Sequence, residues 1–140
     1  MRLLDTDTCI AILRGNEAVI ERRAATSDEV VTTWITAAEL YYGAARSRAL
    51  DKNRALVKSF LATLPVLGLD EASAPIFGEA KALLERQGQR LADADLFIGA
   101  IAIAKQATVV TGNRRHYERK GVPWTTLWRI PTIPLHGIPG

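Results

Sequence analysis

Apolar and polar positions along the chain follow two periods, and the switches between them mark out the elements. Four short runs are aliphatic or β-branched and read as strands: "RLL" ahead of Asp5, "EVVTTW", "VLGLD" and "ATVVTGN". Between them, apolar residues recur at three- and four-residue intervals, the spacing of a helix with one buried face. "TCIAILRG" predicts a short helix stopped by Gly15, with Asp7 or Thr8 at its cap, and "NEAVIERRAA" a second with Asn16 as N-cap. "ITAAELYYGAARS" predicts the helix after the second strand. Leu50, Val57, Phe60, Leu61 and Leu64 place "LDKNRALVKSFLATL" in another, ended by Pro65. "EASAPIFGEAKALLERQG" has Gly88 beyond its end, "ADLFIGAIAIAKQ" is a largely buried helix, and "RRHYER" adds one turn. Strands alternating with helices predict an α/β fold with a mainly parallel central sheet flanked by helices.

At 140 residues the chain fits one domain, 1–140, in which about 121–140 form a tail carrying Pro131, Pro134 and Pro139 that is expected to be extended. Hydrophobic residues make up 48% and charged residues 24%, enough to build a core without staples. Cys9 is the only cysteine, so no intrachain disulfide forms, and a reducing compartment is mildly favoured. Acids fall where the apolar stretch of a signal peptide would lie, and "LFIGAIAIA" is too short to span a bilayer. A cytoplasmic protein with no membrane partner is expected. The net charge of +3 and pI near 9.3 hint at a polyanionic partner, although an ordinary basic surface explains them equally well.

The acids change this picture. In a parallel α/β sheet, functional groups gather beyond the carboxyl ends of the strands. Asp5 ends the first strand, Glu39 lies in the first turn of the helix after "EVVTTW", Asp95 lies in the first turn of the helix feeding "TVVTGN", and Asn113 ends that last strand with Thr111 nearby. Each has a bland alternative. Asp7 can cap a helix, Thr36 and Glu39 have capping-box spacing, Asp93 suits an N-cap and leaves Asp95 freer, and Asn113 can be a turn residue. Asp5 has the weakest alternative, because a carboxylate directly after a buried strand needs a partner. Clustered carboxylates raise each other's pKa, a divalent cation removes that cost, and oxygen-only ligands suit Mg²⁺ or Mn²⁺. One cysteine and two histidines do not build a usual zinc site, and neither His116 nor His136 has a nucleophile elbow nearby.

"LLDTDTCIAILRG", "ITAAELYYGAARS", "DADLFIGAIA" and "VVTGNRRHYER" together resemble the PIN-domain ribonucleases, specifically VapC-type toxins of toxin–antitoxin pairs, from about Met1 to Arg119. The resemblance implies a PIN-like fold, with Asp5, Glu39, Asp95 and Asn113 at the four catalytic positions. It implies metal held by Asp5, Glu39 and Asp95, and Mg²⁺- or Mn²⁺-dependent hydrolysis of an RNA phosphodiester. Thr6, Asp7, Asp93 and Thr111 would support these ligands from behind. Asp7 stands where such toxins often have Asn, and Asn113 supplies no charge. Arg114 and Arg115 directly after Asn113, and Arg46 and Arg48 after the Glu39 helix, are the candidate RNA-phosphate contacts. The implied partners are RNA, a cognate VapB-type antitoxin and a second copy of the chain, with Tyr41 or Tyr42 as contacts. Competing readings are a haloacid-dehalogenase-like phosphatase, which Asp5-x-Asp7 suggests but Cys9 and the lack of a downstream lysine motif disfavour, and a silent PIN or receiver-like binding module.

Overall fold

The computed structural model describes residues 1–112 and the strand at 132–134. In chain order it runs β1 (Arg2–Leu4), α1 (Thr6–Leu13), α2 (Glu17–Ala25), β2 (Val30–Thr33), α3 (Trp34–Ala45), α4 (Leu50–Leu61), β3 (Val66–Leu67), α5 (Ser73–Arg86), α6 (Asp93–Lys105), β4 (Thr108–Thr111) and β5 (Thr132–Pro134). The strands form one sheet in the order β3-β2-β1-β4-β5, every neighbouring pair parallel. β1 is therefore central. Arg2 stands opposite Val30 on one side and Thr108 on the other.

Strand side chains alternate between faces, and each face has its own core. Leu3, Val31 and Val109 are fully buried beneath α5 and α6, where Ala80, Leu84, Leu96, Ile98 and Ile101 complete the cluster. Leu4 points the other way, to Cys9, Leu40, Ala44, Val57 and Phe60 on α1, α3 and α4. A sheet covered on both sides explains why its strands read as continuous apolar runs. α5 and α6 also stack Phe77 on Phe97, with ring centroids 3.9 Å apart.

Local signals account for most boundaries. Asn16 accepts a hydrogen bond from Val19 N at 3.2 Å and caps α2 as expected. Gly15 and Gly88 adopt positive φ of 79° and 67°, the left-handed conformation that lets a chain leave a helix. Other caps differ from the sequence reading. α1 starts two residues earlier than predicted, because Asp5 rather than Asp7 or Thr8 is its N-cap. Thr33 caps α3 through Thr36 N, so Thr36 and Glu39 form no capping box, Trp34 is helical and Glu39 lies in the second turn. α6 opens at Ala92 without a side-chain cap, and Asp93 instead pairs with Lys81 of α5 at 3.0 Å. α4 stops at Leu61, short of Pro65, and β3 is only two residues long. α6 ends on Gln106 at φ 53°, left-handed without being glycine. The expected extended tail is extended at Thr132–Pro134, against β4. The predicted turn in "RRHYER" lies outside the described residues.

Leu3 is completely buried in the central strand, so Leu3→Ala should cost roughly 2–5 kcal/mol through lost burial plus a residual cavity. Urea denaturation followed by circular dichroism measures this. A loss below about 1 kcal/mol would show that the α5–α6 face collapses around the gap.

Candidate functional site

Strand order reverses at β1: β2 and β3 follow on one side, β4 and β5 on the other. Beyond the carboxyl ends of β1 and β4 lies the switch point, the place where parallel α/β sheets generally hold their ligands. Asp5 closes β1 at that place. Its backbone N–H donates to Val110 O of β4 at 3.1 Å, and its carboxylate caps α1 by accepting from Thr8 N at 3.0 Å and from the Thr8 hydroxyl at 2.8 Å. The Thr111 hydroxyl, at the end of β4, bonds the same carboxylate. Thr8 Oγ1 also lies 2.9 Å from Val110 O, and its single proton is shared between that carbonyl and Asp5.

This carboxylate is only 6% exposed. Burial raises its pKa above the model-compound value of 3.8, and the nearby Asp7 charge raises it further; the bonds from Thr111 and Thr8 pull in the opposite direction without cancelling the rise. The environment thus orients a negative charge and at the same time makes it costly to keep.

Glu39 reaches the same edge from α3. Thr6 Oγ1 donates to Glu39 Oε1 at 2.6 Å and lies 3.1 Å from Thr36 Oγ1. Because the Thr6 proton is committed to the carboxylate, Thr36 is the donor in the threonine pair. Glu39 itself is exposed, whereas Thr36 is fully buried. A hydroxyl chain anchored on buried Thr36 therefore fixes Glu39 to Thr6, the residue next to Asp5. Asp95 is half-buried in the first turn of α6, a helix that packs on α3 and leads into β4 and so begins at the carboxyl edge.

The remaining sequence candidates divide. Thr6 and Thr111 are in the hydroxyl network, and Asp7 is exposed beside it as a charge felt by Asp5. Asp93 is engaged with Lys81. Arg46 is exposed and stacks over the Tyr42 ring, 5.3 Å from its centroid, and Arg48 is exposed in the turn after α3. Arg46 follows Glu39 by seven residues of helix and so lies about 10 Å along α3 from it. Asn113, Arg114 and Arg115 lie outside the described residues. Sequence reasoning missed Thr8 and Thr36. The Asp5-x-x-Thr8 spacing, a standard N-cap interval, was the signal for the first.

Among the described residues, no group of three or more His, Cys, Asp or Glu side chains is close enough to hold a metal ion. Mg²⁺ does not need one, since it keeps several waters and binds through one or two carboxylates together with substrate phosphate. An all-oxygen donor set headed by a desolvated carboxylate fits such an ion.

The PIN domain family profile matches residues 2–122. The tRNA(fMet)-specific endonuclease VapC of Shigella flexneri is 32% identical over 90% of this chain and 96% of its own length. Its namesake from Salmonella typhimurium is 36% identical over 84% and 89%. Ribonuclease VapC2 of Haemophilus influenzae is 32% identical over the same shares. Among solved structures, DNA-bound VapBC from Salmonella typhimurium superposes with a TM-score of 0.84 at 32% identity, covering 96% of this chain and 97% of the other. VapBC2 from Rickettsia felis, bound to a promoter DNA fragment, gives 0.82 at 25%, covering 95% and 97%. These matches run through the segments that carry Asp5, Glu39 and Asp95, and they close the phosphatase and receiver readings: the chain belongs to the PIN domain family, within its VapC ribonucleases.

Proposed function

We propose that the chain is a Mg²⁺- or Mn²⁺-dependent endoribonuclease toxin acting in the cytoplasm, in which Asp5 binds the ion directly, Glu39 and Asp95 reach it through its waters, and Asn113 is a neutral fourth group. The observation that carries this reading is Asp5: a carboxylate held by three hydrogen bonds at the sheet's switch point, yet desolvated enough to favour a cation. When bound, the ion supplies Lewis acidity toward a phosphate oxygen and lowers the pKa of a water. The protein's part is orientation. Thr8 and Thr111 fix Asp5, and Thr36 and Thr6 fix Glu39, so neither carboxylate has to reorganise as charge develops on the phosphoryl and leaving oxygens. Arg114 and Arg115, adjacent to Asn113 in sequence, are assigned to the RNA phosphates on either side of the scissile bond. The relatives named tRNA(fMet)-specific endonucleases make tRNA the first substrate to test.

A cleft of about 310 Å³ between α1, α3 and α4, lined by Ile10, Leu13, Leu40, Leu56 and Val57 with Glu39 at its rim, is assigned to the VapB-type antitoxin. It offers an apolar seat from which an extended segment reaches the acids. A homodimer is assigned to the neighbouring face of α3 and α4, where Tyr42 is 63% and Leu50 41% exposed.

Three outcomes are expected. Cleavage of tRNA should stop in EDTA and return with Mg²⁺ or Mn²⁺, and Asp95→Asn should lower it at least 100-fold, in keeping with loss of one charge beside the ion; product gels read both, and undiminished cleavage in EDTA would end the metal reading. Asp5 has a raised folded pKa, so its protonation stabilises the fold fully below pH 3.8, and that contribution is lost as pH rises through the folded value. Metal-free Asp5→Asn, which keeps the cap, should therefore melt at or above the parent at pH 7 while losing activity. A clearly lower melting temperature would make Asp5 primarily structural. Leu56, 45% exposed in the apolar cleft, should tolerate Glu with cleavage intact. Leu56→Glu should weaken co-purification with the product of an adjacent antitoxin-like reading frame by roughly tenfold or more.

A further inference from the structure

On the other side of Thr8 from Asp5, a separate cleft of about 30 Å³ opens between α1, α2 and the sheet. Its walls are apolar, with Leu4, Ile12, Val19 and Val30 among them, yet three arginines line it: Arg2, Arg22 and Arg23. Two of them are partly engaged. Arg2 Nε donates to Asp28 Oδ2 at 2.8 Å, and Arg23 Nη2 donates to Thr63 O and Oγ1 at 3.2 and 2.9 Å while its guanidinium lies 5.6 Å from the Phe60 ring centroid. Arg22 differs. Its Nη1 is buried and has no hydrogen-bond partner, the single such side-chain atom among the described residues. Buried polar groups are almost always paired, and a buried guanidinium nitrogen without an acceptor points to one that the protein itself does not supply.

We propose that this cleft binds a phosphate-type oxyanion, with Arg22 Nη1 as its innermost donor. Charge sets the class of ligand. Three arginines line the cleft and the ion pair among them is that of Arg2 with Asp28, which leaves Arg22 and Arg23 as an excess of two positive charges. A phosphate monoanion or dianion matches that excess. The apolar walls lower the local dielectric and strengthen each charge-assisted bond. Thr26, also in the wall, accepts from Asp28 N at 3.2 Å and keeps its hydroxyl proton for a ligand. Size restricts the ligand further. A site for one water needs about 10–15 Å³, so this cleft admits about two oxygen atoms, with the rest of the ligand at the mouth. A base or sugar does not enter. The Thr8 hydroxyl takes no part, because its proton is committed to Asp5 and Val110. The oxyanion is either free phosphate or a backbone phosphate of RNA, and its binding does not depend on the metal reading.

Thermal unfolding tests this with inorganic phosphate as the probe, in EDTA and at constant ionic strength. The parent should show a saturable rise of roughly 2–4 °C. Arg22→Met should show at least a tenfold weaker response, Arg22→Lys an intermediate one, and Arg86→Met, which removes an exposed arginine of α5, the full parental rise. In phosphate-free buffer Arg22→Met should melt no lower than the parent, because it removes an unpaired donor. An equal rise in parent and Arg22→Met is a general salt effect and overturns the proposal, as does the absence of any rise in the parent. Arg2→Gln, at the rim, gives a second reading should Arg22→Met fail to fold: it too should weaken the response, and a parental response there overturns the proposal. Binding of a short labelled RNA in EDTA then identifies the source. Competition by phosphate, lost in Arg22→Met, makes the ligand an RNA phosphate, whereas phosphate binding without competition makes it free phosphate.

Discussion

The Asp5 carboxylate is bound by groups from both ends of the chain. Thr8 comes from the helix that follows it, and Thr111 from a strand near the far end. With the Asp5 N–H on Val110 O, these bonds set the distance between β1 and β4 where the sheet reverses direction. Moving Asp5 would at once uncap α1 and loosen β1 from the end of β4. The same side chain therefore serves as helix cap and strand clamp, and it is the group proposed above as metal ligand. Its burial makes the first two roles firm and its charge expensive.

Threonine is the recurring device around this point. Thr6, Thr8 and Thr111 each place a hydroxyl where a carboxylate needs a donor, Thr36 backs Thr6, and all but Thr6 are fully buried. A hydroxyl can both donate and accept, so a chain of them passes one orientation along without adding charge. Glu39 illustrates the result: it is exposed to solvent, yet its direction is set by Thr6 and, behind it, by buried Thr36.

How legible this was in the sequence depended on the range of the interaction concerned. Strand and helix positions were readable because each is fixed by its own residues: "TVVT" is β-branched, Asn16 caps locally, and Gly15 and Gly88 leave their helices at positive φ. Errors came where two local rules compete. Thr33 and Thr36 are both good caps, and only burial of β2 through Thr33 decides between them. Asp93 looked like a cap because nothing in the sequence places Lys81 beside it. Asp5 was legible as the end of a strand and Glu39 and Asp95 as early helix positions at the same edge, and their assignment to one chemistry came from resemblance. Thr6 and Thr111 were expected at the site by resemblance, but the link to Thr36 was not legible, because Thr6 and Thr36 meet only after α1 and α3 have packed.

β1 is made well before one of its two neighbours in the sheet: the Thr8–Val110 bond spans 102 residues. At a synthesis rate of about 5–20 residues per second, that interval lasts roughly 5–20 s. During it, Asp5 has neither the strand that clamps it nor the Thr111 hydroxyl that orients it. The sheet edge that carries Asp5 is thus completed only when two segments 102 residues apart have both been made and have met.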